Sequence, residues 1–222
     1  MIILQGDLVN MRKTFNEELS IMHDKIIEMG AYCEYLIAMS AKALLDGDIS
    51  IAKNVLLSGE KVDIMEREIE AICLKLLLRQ QPVASDLRQI SAALKIITDM
   101  ERIGDQAEDI AEIVTCLNAP KKIEYKDMRL IAEATIKMVS DSVQAFINSD
   151  VELAHKVYAY DDTVDELFVR IKNDLIDAIS KNSDHGELAF DLLMIAKYFE
   201  RIGDHATNIG EWVEFSAVGT HK

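Results

Sequence analysis

The stretch Glu101-Arg102-Ile103-Gly104-Asp105 recurs letter for letter as Glu200-Arg201-Ile202-Gly203-Asp204, and each copy meets another polar oxygen side chain four residues on, Asp109 in the first and Asn208 in the second. Identity of this length signals an internal repeat. Working outward, Asp48, Ala52, Val55 and Asp63 match Asp150, Ala154, Val157 and Asp165, each 102 positions later, whereas the two motifs stand 99 apart. The second copy is therefore three residues shorter, and the turn near Asn182-Ser183-Asp184 is the easiest place for the loss.

Around these anchors apolar residues recur at steps of three and four, the period of an amphipathic helix. Phe15, Leu19, Met22, Ile26, Met29 and Cys33, continuing through Leu36, Ile37 and Ala41 to Leu44, predict one long helix ended by Asp46-Gly47-Asp48. Asp48 then caps a second helix with Ile51, Val55, Val62, Met65, Ile69, Ile72 and Leu76 on its inner face. Gln80-Gln81-Pro82 stops it, and a third helix runs over 83–117 to the break at Asn118-Ala119-Pro120. The second triplet covers 125–148, 150–181 and 187–215.

The expectation is an all-α fold of two tandem three-helix bundles, six long helices in all, each bundle up-down-up. Residues 1–14 read as an N-terminal extension, 15–119 as the first repeat, 120–218 as the second and 219–222 as a tail, with the junction at Pro120 to Lys122. Helices of this size are roughly 45 Å long, which predicts an elongated molecule.

A net charge of -15 argues against a nucleic-acid groove and against adsorption to an anionic membrane. Such a field favours cations or a basic protein face. No run reaches the length of a membrane span, and Met1-Ile2-Ile3-Leu4 lacks the basic region of a secretory signal. Cys33, Cys73 and Cys116, an odd number without a CxxC pair, read as reduced thiols in a cytoplasmic core. The methionines fall at core spacing and read as packing.

Helical angles give the repeated acids a direction. With Leu87 at zero, Leu94 lies at about 340°, Glu101 at about 320°, Asp105 at about 0° and Asp109 at about 40°. On this reading they continue an inner stripe begun by Leu87, Ile90 and Leu94, and the second repeat does the same with Leu193, Glu200, Asp204 and Asn208. Folding back about Pro82 sets Asp63 level with Glu101 and Glu60 level with Asp105, and Asp165 level with the interval from Glu200 to Asp204. Carboxylates this close repel one another, and a bound cation would remove the repulsion. Oxygen ligands suit hard ions such as magnesium, calcium, manganese or ferric iron. The plainer reading is a salt-bridge ladder in which Arg102 reaches Asp105 and Asp109, and Arg201 reaches Asp204. Gly104 and Gly203, costly within a helix, imply close approach of a backbone or a ligand.

Other signals carry less. Glu152-Leu-Ala-His155 has the spacing of a di-iron motif, but the first repeat offers Ser50-Ile-Ala-Lys53 in its place. His23-Asp24 stands alone and reads as surface. His205 reads either as an accessory ligand or as facing solvent, and His185 and His221 lie in a turn and the tail. No Gly-rich phosphate loop, GxSxG elbow or Cys/His nucleophile pair occurs.

The run Asp86-Leu87-Arg88-Gln89-Ile90 through Leu94-Lys95-Ile96-Ile97 to Glu101-Arg102-Ile103-Gly104-Asp105 closely resembles the PhoU family. So do its partner Glu200-Arg201-Ile202-Gly203-Asp204-His205-Ala206-Thr207-Asn208-Ile209 and the preceding Gln81-Pro82. The likeness extends from about Met11 to Phe215. It implies a cytoplasmic, non-enzymatic, all-helical negative regulator of phosphate uptake and of the phosphate regulon. It also implies a homodimer that works with the ATPase subunit of the phosphate ABC transporter and with a phosphate-sensing histidine kinase, without nucleic acid or membrane insertion. Metal ions, mononuclear or clustered, of iron, zinc, manganese or magnesium would lie at Glu101, Asp105, Asp109, Glu200, Asp204 and Asn208. Asp63 and Asp165 join the set on geometry. Asn208, being neutral, predicts a second site unequal to the first. A metal-dependent enzyme acting on phosphoryl groups and a metal-free helical scaffold are the alternatives.

Overall fold

Asp48 and Asp150, matched in the repeat, do the same job: the Asp48 carboxylate accepts from the backbone N–H groups of Ser50 and Ile51, and that of Asp150 from Leu153. Each thereby satisfies donors that a helix start leaves unpaired. The computed structural model describes residues 2–79, 83–117 and 126–219, with side chains from residue 12 onward and to residue 78 in the first segment. Seven α-helices fill these segments: α1 (Ile2–Asp46), α2 (Ile49–Leu56), α3 (Glu60–Arg79), α4 (Ala84–Cys116), α5 (Lys126–Asn148), α6 (Val151–Lys181) and α7 (Gly186–Val218). A short 3-10 turn, Ser183–His185, precedes α7. The expected breaks at Gln80-Gln81-Pro82 and Asn118-Ala119-Pro120, with the junction to Lys122, lie outside the described residues.

The all-helical fold is as expected, with two differences. Helix α1 starts at Ile2 rather than Phe15, so it takes in the residues expected as an extension. The expected second helix is split into α2 and α3 at Leu57-Ser58-Gly59, whereas its counterpart α6 runs unbroken. Glycine weakens the helix at the break, Ser58 turns its hydroxyl back onto Asn54, and Tyr32 donates to the Ser58 carbonyl at 3.0 Å.

Helices α4 and α7 lie antiparallel at the centre. Asp99 meets His205 and Asn208, while Arg88, near the start of α4, meets Ser216 near the end of α7. On the inner side α1 packs under α4, and the Cys33 thiol donates to the Met100 carbonyl. Helix α5 runs beside α1, with Gly30 set against Val143. Helices α3 and α6 flank the centre. One continuous core joins both repeats, from Phe15, Met22 and Ile26 through Ile97 and Met100 to Phe146, Phe199 and Ile202. Each fully buried side chain of this kind contributes roughly 1.5–3 kcal/mol.

The cysteines divide. Cys33 and Cys73 are buried, with burial pushing each thiol up to about 12, so both are inert at neutral pH. Cys116 is exposed, contrary to the expectation of a core thiol. His23 also departs from its surface reading: it packs edge-on against Phe146 and shares a 3.0 Å hydrogen bond with Gln89. His155 is consistent with a surface role, at 3.6 Å from Glu214.

Candidate functional site

The repeated acids do not point inward. The buried face of α4 is made by Ile90, Ile97, Gly104, Met100, Ala107, Ile96 and Ile103. On the wheel used above these span about 300° down to about 160°. Glu101, Asp105 and Asp109 lie on the opposite arc, Asp105 being exposed and the other two half-buried. Leu87 and Leu94 misled as markers, since Leu87 is 43% exposed and Leu94 is only partly buried. The acids instead line an outer groove in which α4 lies between α3 and α7.

On the α3 side, Asp63 and Glu66 face this groove, and Thr98 donates to Glu66 at 3.2 Å. Burial, then Asp105, Glu66 and Asp63, raise the Glu101 carboxyl above its ordinary range. Burial and Asp63 raise Asp105, partly offset by Arg102 and His205. Burial, then Asp105 and Glu112, raise Asp109, while Arg201 and a hydrogen bond from Tyr198 pull it back. Thus Asp63 gathers with Glu101 and Asp105 as expected, whereas Asp109 leans toward the other repeat.

Glu108 was not anticipated from the sequence. Burial, then Asp105, Asp63 and Asp109, push its carboxyl up to about 7. Its side chain lies over Gly59, where an added Cβ would overlap the carboxylate outright.

The second groove runs along α7 beside α6. Asp161, again unanticipated, is pushed up to about 6 by burial and by Asp165, Asp204, Glu200 and Asp162. Asp165 thus gathers with Glu200 and Asp204. Asn208 does not face them: its amide donates to Asp99 on α4 at 3.2 Å. His205 is likewise committed, its Nδ1 lying 2.9 Å from Asp99. Asp99 and Tyr198, one motif spacing apart, therefore hold Asn208 and Asp109 across the boundary between the repeats.

Among the described residues no ion pair joins Arg102 to Asp105 or Asp109, or Arg201 to Asp204, so the salt-bridge ladder is not what occupies these faces. Glu200 pairs instead with Lys197, and Asp63 stands 4.0 Å from Arg67. The two mid-helix glycines have a packing cause. A Cβ on Gly104 would come within 3.0 Å of Val62, and one on Gly203 within 3.4 Å of Val164. Val62 and Val164 are themselves matched in the repeat, so the glycines let α3 and α6 approach α4 and α7.

The donor chemistry fits a hard cation. Carboxylates raised by burial and then by their neighbours' charge, one of them lying over Gly59, are what a metal's charge would stabilise. As placed, no group of three or more His, Cys, Asp or Glu side chains among the described residues forms a coordination shell. Among those residues, too, no helix is long and apolar enough to cross a membrane.

Comparison with known proteins gives a consistent result. The family model described as the PhoU domain matches twice, over residues 26–114 and 128–213. The phosphate-specific transport system accessory protein PhoU homolog of Clostridium acetobutylicum is 35% identical over 202 residues, 90% of this chain and 92% of that protein. The protein so described from Borreliella burgdorferi is 31% identical, covering 94% of this chain and 96% of its own length. The crystal structure of PhoU from Pseudomonas aeruginosa superposes with a TM-score of 0.87 at 33% identity, covering 93% of this chain and all of that one.

Proposed function

Because this chain belongs to the PhoU family, we propose that it is an accessory regulator of phosphate transport, cytoplasmic and without an activity of its own, that restrains phosphate uptake when phosphate is plentiful. Its partners on this reading are the ATPase subunit of a phosphate ABC transporter and a phosphate-sensing histidine kinase, and it works as a homodimer. It also keeps the phosphate regulon off.

The observation that carries the metal-dependent part is the pairing of crowded carboxylates at equivalent places in the two repeats: Asp63, Glu101 and Asp105 in one, Asp165, Glu200 and Asp204 in the other. These residues would hold the ions, of iron, zinc, manganese or magnesium, with Asp109 at the edge of the first set and Asn208 beyond the second. Bound ions supply the positive charge that relieves the repulsion. The protein's part is to present the carboxylates on the outer α4–α7 face, where a partner can reach them, over a core that holds the helices in register. Asn208, turned to Asp99, leaves the second set with a smaller share of charge.

The test replaces Asp105 and Asp204 together by asparagine. Metal content of the purified protein is expected to fall, and cells carrying the variant to lose repression of phosphate uptake. Unchanged metal content together with intact repression would overturn the reading.

A further inference from the structure

The first helices of the two repeats, α1 and α5, lie side by side under the central pair, and the repeat can be followed into the seam between them. Gly47 at φ 65° and Ser149 at φ 51° end the two helices in the same left-handed turn, 102 positions apart. The N–H groups of Asp48 and Asp150 then donate back to the carbonyls of Ala43 and Ala145, at the same offset.

Two cavities, of about 320 and 300 Å³, open end to end along this seam, and each is lined by α1 and α5. They are copies of one another. The α1 wall of the second cavity, residues 38, 41, 42, 45 and 46, shifted by 102 becomes 140, 143, 144, 147 and 148, the α5 wall of the first. Their chemistry has nevertheless been exchanged: Ile27 and Glu34 in the first stand where Arg129 and Ile136 stand in the second. Glu34 is half-buried, its carboxylate bonded to Ser140. Arg129 is exposed. Among the described residues neither has an ion-pair partner, whereas Lys42 and Asp46 of the same seam pair with each other.

Charge, symmetry and area agree on what covers such a face. Glu34, Asp46 and Glu133 against Lys42 and Arg129 leave the cavities with a net charge of -1, in a chain of -15. Two copies can therefore approach here without the repulsion that the acid grooves would impose, and a basic partner would be drawn to those grooves instead. A two-fold contact must also complement itself, and an acidic cavity beside a basic one does so. Twenty residues of two adjacent helices present a face roughly 30 Å by 20 Å. Covered by a second copy, it would bury about 1,200 Å² in all, which is what a specific interface needs.

We propose that the α1–α5 seam is the surface on which two copies of this chain meet, the first cavity of each over the second cavity of the other, with Glu34 set against the partner's Arg129. This names the face of the homodimer proposed above and rests on that reading.

Sedimentation equilibrium of the full chain over the micromolar range tests it. Glu34→Arg and Arg129→Glu, each of which sets like charges together, are expected to raise the dimer dissociation constant by about a hundredfold. The double swap, Glu34→Arg with Arg129→Glu, should recover it to within about tenfold of the unaltered chain. Ala38→Arg, exposed at the middle of the seam, should leave monomers, and Asp184→Arg in the exposed turn should change nothing. Circular dichroism equal to that of the unaltered chain shows that each variant is folded. A dimer that none of the seam variants weakens would overturn the face and leave the homodimer standing. Weakening by both single changes without recovery in the swap would overturn the facing of Glu34 and Arg129. An unaltered chain that sediments as a monomer throughout would remove the homodimer and this face together.

Discussion

Gly104 and Gly203 sit mid-helix, where glycine costs about 1 kcal/mol relative to alanine, and Val62 and Val164 account for their presence. The two are not equally tight. At Gly104 a Cβ meets both Val62 methyls at 3.0 and 3.1 Å, whereas at Gly203 the nearest atoms stand at 3.3 and 3.4 Å. Gly104→Ala should therefore destabilise by about 1 kcal/mol despite its better helix propensity, and Gly203→Ala should be near neutral. Thermal melts of the two variants check the order, and equal effects would remove Val62 as the cause. Single carboxyls give a second expectation. A carboxyl whose pKa is higher folded than unfolded keeps its proton more tightly in the native state, so stability is lost as pH rises from the unfolded value through the folded one. Burial, then the nearby Asp105, Asp63 and Asp109, push Glu108 from 4.5 to about 7. Burial, then the nearby Asp165, Asp204, Glu200 and Asp162, push Asp161 from 3.8 to about 6. Metal-free protein should lose stability from about pH 4 to about pH 7, by on the order of 1 kcal/mol once solvent screening is allowed for. Melts in chelator across that window should flatten in the Glu108→Gln, Asp161→Asn double variant; an unchanged slope would count against these two groups as its source.

Caps show how much of each element is written locally. Asp48 and Asp150 mark helix starts in the sequence and hold those starts in the structure, so Asp150→Ala should cost about 1 kcal/mol in a denaturant titration. Helix ends at Asp46, Asn148 and Lys181 were legible for the same reason: the signals lie within a turn of the boundary. The direction of the acid face was not. A stripe of leucines is read as inner because apolar groups prefer burial, yet Leu87 stays exposed while alanines and glycine at 92, 93, 104 and 107 form the packed side of α4. Small residues carry little hydrophobic weight in a periodicity count, though they are what lets helices approach. The break at Gly59 was hidden for a related reason. The residue that lies over the break, Glu108, is 49 positions away, and the aligned continuity of α6 argued for one helix in both repeats. Asp99, which holds His205 and Asn208, belongs to no periodic pattern at all. The acid motif itself was found from its duplication, and Asp63 and Asp165 from helix register, whereas Glu108 and Asp161 needed the space between helices to be known.

At the scale of the whole molecule the two repeats share one core instead of standing as separable bundles. Helices α4 and α7 bury Ile97, Met100, Ile103, Ile195, Phe199 and Ile202, and α1 and α5 bury Ile26, Met29, Leu36, Val139 and Phe146, all within a single cluster. Polar links cross the same boundary: Asn208 and His205 to Asp99, Arg88 to Ser216, and Lys95 over the Trp212 ring. Separating the repeats would expose these apolar faces together, at roughly 25 cal/mol for each Å² returned to water. That cost makes it unfavourable for one repeat to unfold while its neighbour stays folded. Three probes report on different parts of the chain. Trp212, the single tryptophan, lies on α7 in the second repeat; Cys33 and Cys73 are buried in the first; helicity follows both. In urea, tryptophan fluorescence, thiol labelling and circular dichroism are expected to share one midpoint. Asp99→Ala, which releases the links to His205 and Asn208, should lower that midpoint by an amount corresponding to about 1–3 kcal/mol without splitting it. Two midpoints in the unaltered protein, with Trp212 leaving before or after the thiols become reactive, would show the repeats to be independent units and remove the shared core as the reason they stay in register.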